Sequence, residues 1–137
     1  MAVITPEFLG LVPGLFATNV DESVRSLESF LRMCFPQEPA AEDLYLMLGY
    51  NVSVPPYVRQ ALFSRSVDND DVLAQIRKPV LLTHGVKDAI VKPNVVDRHM
   101  ALLSRAQIDL MPDTGHAPFW DQATSFNRRL RDFAASV

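Results

Sequence analysis

A chain of 137 residues has the size of one domain and is long enough to bury a core, and its 48% hydrophobic and 21% charged content is that of an ordinary globular protein rather than a disordered one. A net charge of −3 without clustered Lys and Arg excludes nucleic acid as the main partner, and a single cysteine, Cys34, excludes an intrachain disulfide and a cysteine metal cluster. No apolar run approaches the roughly 20 residues that span a bilayer, and no basic segment leads into an apolar stretch at the start, so the sequence taken at face value describes a soluble, cytoplasmic protein.

The first predicted element is an amphipathic helix. Val20, Val24, Leu27, Leu31 and Cys34 or Phe35 recur at spacings of three and four, after Asn19 or Asp21 as N-cap. Pro36 and Pro39 interrupt this helix. Residues 40–48 resume helical spacing through Leu44, Met47 and Leu48, with Gly49 as a stop signal. Pro55 and Pro56 then open a helix through Val58, Leu62 and Arg65, and the acidic cluster Asp68–Asp71 caps a last short one carrying Leu73 and Ile76.

Near residue 78 the pattern changes from interrupted helices to strand, helix, strand, helix. Pro79–Thr83 is a compact apolar run ending at Gly85, which predicts a strand buried on both faces of a parallel sheet. Pro93 opens a helix with Val96, Met100 and Leu103 on its apolar side, and Ala106–Met111 is the second strand of a β-helix-β crossover. The closing helix presents Phe126, Leu130 and Phe133 as one stripe, with Arg128, Arg129 and Arg131 as a solvated face.

Two residues that can do chemistry follow these strands. Asp88 lies just after the first strand in THGVKDAIV and His116 just after the second in MPDTGHAPFW. Adjacent parallel strands bring such loops together at their carboxyl edge, where α/β proteins place reactive groups. An Asp beside a His is half of a nucleophilic catalyst, because the carboxylate fixes the tautomer of an imidazole that accepts a proton. Asp113 is the rival acid, but its Pro-Asp-Thr-Gly setting is explained by turn chemistry. His84 and His99 could join His116 around a metal, yet their spacing fits no helical ligand pair, and packing or surface roles account for them.

The segments KPVLLTHGVKDAIV and MPDTGHAPFWDQATSFNRRLRDF resemble the α/β-hydrolase family. The first is similar to its Pro-led strand, turn and acid, the second to its last strand, Gly-His turn and final helix. The chain order, acid before histidine, agrees with the Ser…Asp/Glu…His order of that fold. The resemblance implies an α/β fold class, the C-terminal part of an α/β-hydrolase with two parallel strands, flanking helices and a helical cap segment. It implies residues 1–77 as the cap and 78–137 as the β-α-β-α part of the core, with Asp88 as triad acid and His116 as triad base.

The same resemblance makes Phe30, Met33, Tyr45, Met47, Tyr50, Tyr57 and Phe63 candidates to line an apolar pocket, against the alternative of ordinary packing. Tyr50 and Trp120 are the substrate-binding candidates among the aromatics. Trp120 otherwise covers the histidine loop or packs the last helix. The implied substrate is a small ester-like molecule, and no cofactor or metal is called for. What the sequence lacks is the G-x-S-x-G turn that carries the family's nucleophile; Ser53, in GYNVSVPP, lacks the second glycine, and Ser23, Ser26 and Ser29 fall in a helix pattern.

Two strands also leave a sheet edge unpaired. The expectation is therefore a fragment, with Met1 an internal methionine of a longer frame and the isolated chain inactive. The other reading is a complementing subunit that pairs its sheet edge with a second chain.

Overall fold

The computed structural model describes residues 3–137; Met1, whose standing as an internal methionine the sequence raises, lies outside them. The chain opens with helix α1 (Pro6–Leu15), which the sequence reading had not resolved. Thr5 caps it, its hydroxyl accepting from the Phe8 N–H, and Pro6 occupies a first-turn position where a missing N–H costs nothing. The segment PEFLGLVPGL is apolar on every side, so it carries no helical periodicity to read.

Helix α2 (Val20–Met33) starts where expected, and the choice of cap falls on Asn19, whose side chain accepts from the Glu22 N–H at 3.0 Å. Its buried face is Ser23, Leu27 and Leu31, continued by Cys34, whereas Val20 is exposed. Helix α3 (Ala41–Val52) runs through Gly49 instead of stopping there. Arg59, on α4 (Pro56–Phe63), donates to the carbonyls of Leu15, Asn51 and Val54 and to the Ser23 hydroxyl, so one guanidinium ties the ends of α1 and α3 to α2. Helix α5 (Asp70–Gln75) follows, with the Asp68 carboxylate accepting from the Asp70 N–H, and it ends one residue before Ile76.

Strand β1 (Val80–Gly85), helix α6 (Val95–Leu102) and strand β2 (Ala106–Met111) form the expected crossover, and the two strands pair in parallel from Val80 with Ala106 to Gly85 with Met111. Short helix α7 (Pro118–Asp121) and helix α8 (Ala123–Ala135) complete the chain. Burial of the sheet on both faces does not hold. Arg129 of α8 pairs with the buried Asp109 carboxylate on one face of β2, but Ile108 and Leu110, on the opposite face, are 43% and 42% exposed. Among the described residues that second face is only partly covered, at His84 beside Leu110.

The helical half and the strand half share one core. Phe8, Leu15, Leu27 and Cys34 pack with Ile90 from the loop after β1, joined by Ile4 and Val91 at its margin. Backbone bonds stitch the same two segments: Ile4 and Val91 form an antiparallel bridge, the Thr5 N–H donates to the Ile90 carbonyl at 3.0 Å, and the Lys92 N–H to the Val3 carbonyl at 2.7 Å. Among the described residues no helix is long and apolar enough to cross a membrane.

Candidate active site

The loops after β1 and β2 are held together mainly by their backbones. The Val86 N–H donates to the Met111 carbonyl and the Lys87 N–H to the Thr114 carbonyl, both at 3.0 Å. Gly85 permits this approach, because a Cβ there would stand 2.0 Å from the Gly115 oxygen.

Asp88 turns inward from this junction, with its side chain 2% exposed. Its Oδ1 accepts from the Ile90 and Val91 N–H groups at 2.8 and 2.9 Å, and its Oδ2 accepts from His116 Nδ1 at 2.9 Å. Burial alone would push this carboxyl up. The hydrogen bonds from His116, Val91 and Ile90, with the adjacent imidazole charge, outweigh burial and hold it below the ordinary carboxylate value. The native state therefore binds the Asp88 proton less tightly than the unfolded chain does. The resulting stabilisation is complete above about pH 4 and disappears as the pH falls through the lowered native value. Denaturant unfolding at pH 6, 4 and 3 is expected to show an acid loss that Asp88→Asn flattens. An equally steep loss in the variant would assign it to other carboxylates.

His116 is oriented from three sides. Its own N–H donates to the Cys34 carbonyl at the end of α2 at 2.8 Å, the preceding Gly115 N–H donates to Asp121 Oδ2 at 2.8 Å, and Asp88 holds Nδ1. Because a carboxylate only accepts, Nδ1 carries the proton and Nε2 presents its lone pair. The side chain is 39% exposed, and Nε2 has no hydrogen-bond partner among the described residues. The arrangement is an imidazole held by a buried carboxylate at one nitrogen and open at the other.

Other candidates are sorted by the same geometry. Asp113 bonds Lys87 Nζ at 2.8 Å with its side chain 77% exposed, so it does not orient the histidine. No group of three His, Cys, Asp or Glu side chains among the described residues is arranged to hold a metal. His84 instead stands beside Asp88, its Nε2 3.4 Å from Oδ2. Trp120 lies on α7 directly beyond the histidine loop, half exposed, whereas Tyr50 on α3 is exposed and has no hydrogen bond to Asp88 or His116.

Phe30 packs at a tilt against Phe8, and Phe63 against Phe8 and Phe16, yet they also border an apolar cleft of 360 Å³ with Leu15, Leu27 and Leu62. A larger hollow of 530 Å³ opens at Pro79 and Ala106, the amino ends of the strands and so the wrong end for this chemistry. Cys34 is no substitute nucleophile. Burial, then the charges of Asp88 and Asp121, push its thiol up to about 12, and it stays protonated at neutral pH.

Sequence reasoning missed the Cys34 carbonyl and Asp121 as supports of the histidine loop. A backbone acceptor leaves no sequence signal, and Asp121 could have been noticed only as an acid soon after a Gly-His turn.

No family model matches the sequence. Among curated proteins, the chain is 28% identical over 133 residues to the pimeloyl-[acyl-carrier protein] methyl ester esterase of Neisseria meningitidis serogroup A, covering 94% of this chain and 42% of that protein. Lipase 1 of Psychrobacter immobilis is 29% identical over 100 residues, or 56% of this chain and 32% of its own. Among solved structures, the esterase RhEst1 from Rhodococcus sp. ECU1013 superposes with a TM-score of 0.89 at 29% identity, over 98% of this chain and 49% of that one. The chain thus spans half or less of the length of the relatives it matches.

Proposed function

This chain has the fold of the C-terminal part of an α/β-hydrolase, and its relatives are esterases and lipases; from that premise we propose that it supplies the acid, Asp88, and the base, His116, of a nucleophile-His-Asp triad that hydrolyses small esters. The observation that carries this reading is the 2.9 Å bond from His116 Nδ1 to a buried carboxylate at the carboxyl ends of two parallel strands, with Nε2 left open.

In the proposed reaction Nε2 takes the proton of a nucleophilic hydroxyl as its oxygen attacks the ester carbonyl carbon. The imidazolium, stabilised by Asp88, returns that proton to the departing alcohol as the carbon–oxygen bond breaks. An acyl intermediate remains. Water then attacks it, losing its proton to Nε2, and the acid leaves as the hydroxyl is restored. Trp120 and Tyr50 are the proposed substrate contacts, the former supported by its place beside the histidine loop.

The hydroxyl itself is proposed to lie outside these residues, since no serine here follows a strand in a tight glycine turn. The 137-residue chain alone is therefore expected neither to hydrolyse p-nitrophenyl esters nor to be labelled by a fluorophosphonate. Stoichiometric labelling, read by intact mass, would overturn that placement. The free edge of β1 and the partly exposed face bearing Ile108 and Leu110 suit either a longer polypeptide or a second chain as the source of the nucleophile. The mass of the active species distinguishes the two.

A further inference from the structure

His84 was singled out in the sequence as a packing or metal candidate, and the triad makes no use of it. It is the penultimate residue of β1, with its side chain 14% exposed. Its Nε2 lies 3.0 Å from the Val91 carbonyl oxygen and 3.4 Å from Asp88 Oδ2. Both of these oxygens can only accept while Asp88 is ionised, so Nε2 carries a proton. Residue Val91 is consequently held through both of its flanking peptide groups, its N–H by Asp88 Oδ1 at 2.9 Å and its C=O by His84.

We propose that His84 is a positioning residue for the acid: by donating its Nε2–H to the Val91 carbonyl, it anchors the residue whose own N–H binds Asp88 Oδ1, and so fixes the plane of the carboxylate to which His116 is bound. The inference rests on the triad reading and extends it. Two imidazoles then face one carboxylate in opposite tautomers. His116 is protonated at Nδ1 and free at Nε2, whereas His84 is protonated at Nε2 and has that nitrogen committed. In this tautomer the basic nitrogen of His84 is Nδ1, and it is kept from competing by the shielding of a side chain only 14% exposed. Anchoring Val91 keeps Oδ2 in line with His116, since a carboxylate free to rotate about its Cβ–Cγ bond would trade the His116 bond against its two amide bonds.

The test is long-range proton–nitrogen NMR on the uniformly nitrogen-labelled 137-residue chain. His84 is expected as the Nε2–H tautomer and His116 as Nδ1–H. Finding His84 as Nδ1–H overturns the inference without any variant. In His84→Phe, with folding verified by thermal melting, solvent exchange of the His116 Nδ1 proton is expected to accelerate about tenfold, the factor that a lost hydrogen bond of ordinary strength gives. His84→Gln, whose amide can donate from a similar position, is expected to restore the slow exchange. A folded His84→Phe protein with unchanged His116 exchange, or a folded His84→Gln protein no better than His84→Phe, sinks the proposal.

Asp88→Asn separates this failure from that of the triad reading. If His116 keeps its tautomer in Asp88→Asn, the acid–base pairing itself is wrong. If Asp88→Asn disturbs His116 and His84→Phe does not, only the role of His84 falls.

Discussion

Joined to a segment that bears the nucleophilic hydroxyl, the His116→Ala variant is expected to lose at least about 10⁴-fold in kcat with little change in KM, because the imidazole acts only as the transition state forms. His116 Nε2 is unprotonated, open and oriented, whereas the unprotonated nitrogen of His84 is Nδ1, in a side chain only 14% exposed, and the Cys34 thiol is protonated and buried. No neighbouring group can therefore take over the proton transfer. Asp88→Asn is expected to fall by a similar factor for a different reason. An amide nitrogen toward His116 donates where the carboxylate accepts, which favours the tautomer with Nδ1 unprotonated and Nε2 blocked. Steady-state turnover of a p-nitrophenyl ester checks both. Retention of a tenth or more of the rate in His116→Ala would remove the histidine from the reaction.

The parts of the structure legible in sequence were those fixed by local rules. Ala106–Met111 is a strand because a short segment alternating apolar and polar residues between a helix and a Pro-Asp-Thr-Gly turn has few alternatives, and its parallel pairing with β1 follows from the intervening helix. That placement alone brought Asp88 to His116. What escaped depended on partners distant in sequence. Gly49 looks like a stop, but α3 runs past it to Val52, where Arg59, distant in sequence, donates to the Asn51 carbonyl. The apolar run of β1 signals burial on both faces, yet burial needs covering elements, and on the face of the sheet opposite the Arg129–Asp109 pair Ile108 and Leu110 remain 43% and 42% exposed. The supports of His116 were hidden for a simpler reason. Cys34 contributes its carbonyl, and every residue has one.

The largest expected effect on stability is at Gly85. A Cβ built there stands 2.0 Å from the Gly115 oxygen and 2.5 Å from the Thr114 oxygen, and both are backbone atoms that cannot rotate away. Relief would require separating the two loops, which means stretching the Val86–Met111 and Lys87–Thr114 bonds that carry Asp88 to His116. Gly85→Ala is accordingly expected to cost about 3 kcal/mol in urea unfolding, the upper end for overpacking. In the protein that remains folded, it should weaken the bond between His116 Nδ1 and Asp88. Gly10→Ala is the matched control, since nothing lies within 4 Å of its added methyl and it sits inside α1, where alanine is favoured over glycine by about 1 kcal/mol. If both variants unfolded at the urea concentration of the parent, the close approach of the two loops would not be what holds the acid against the base.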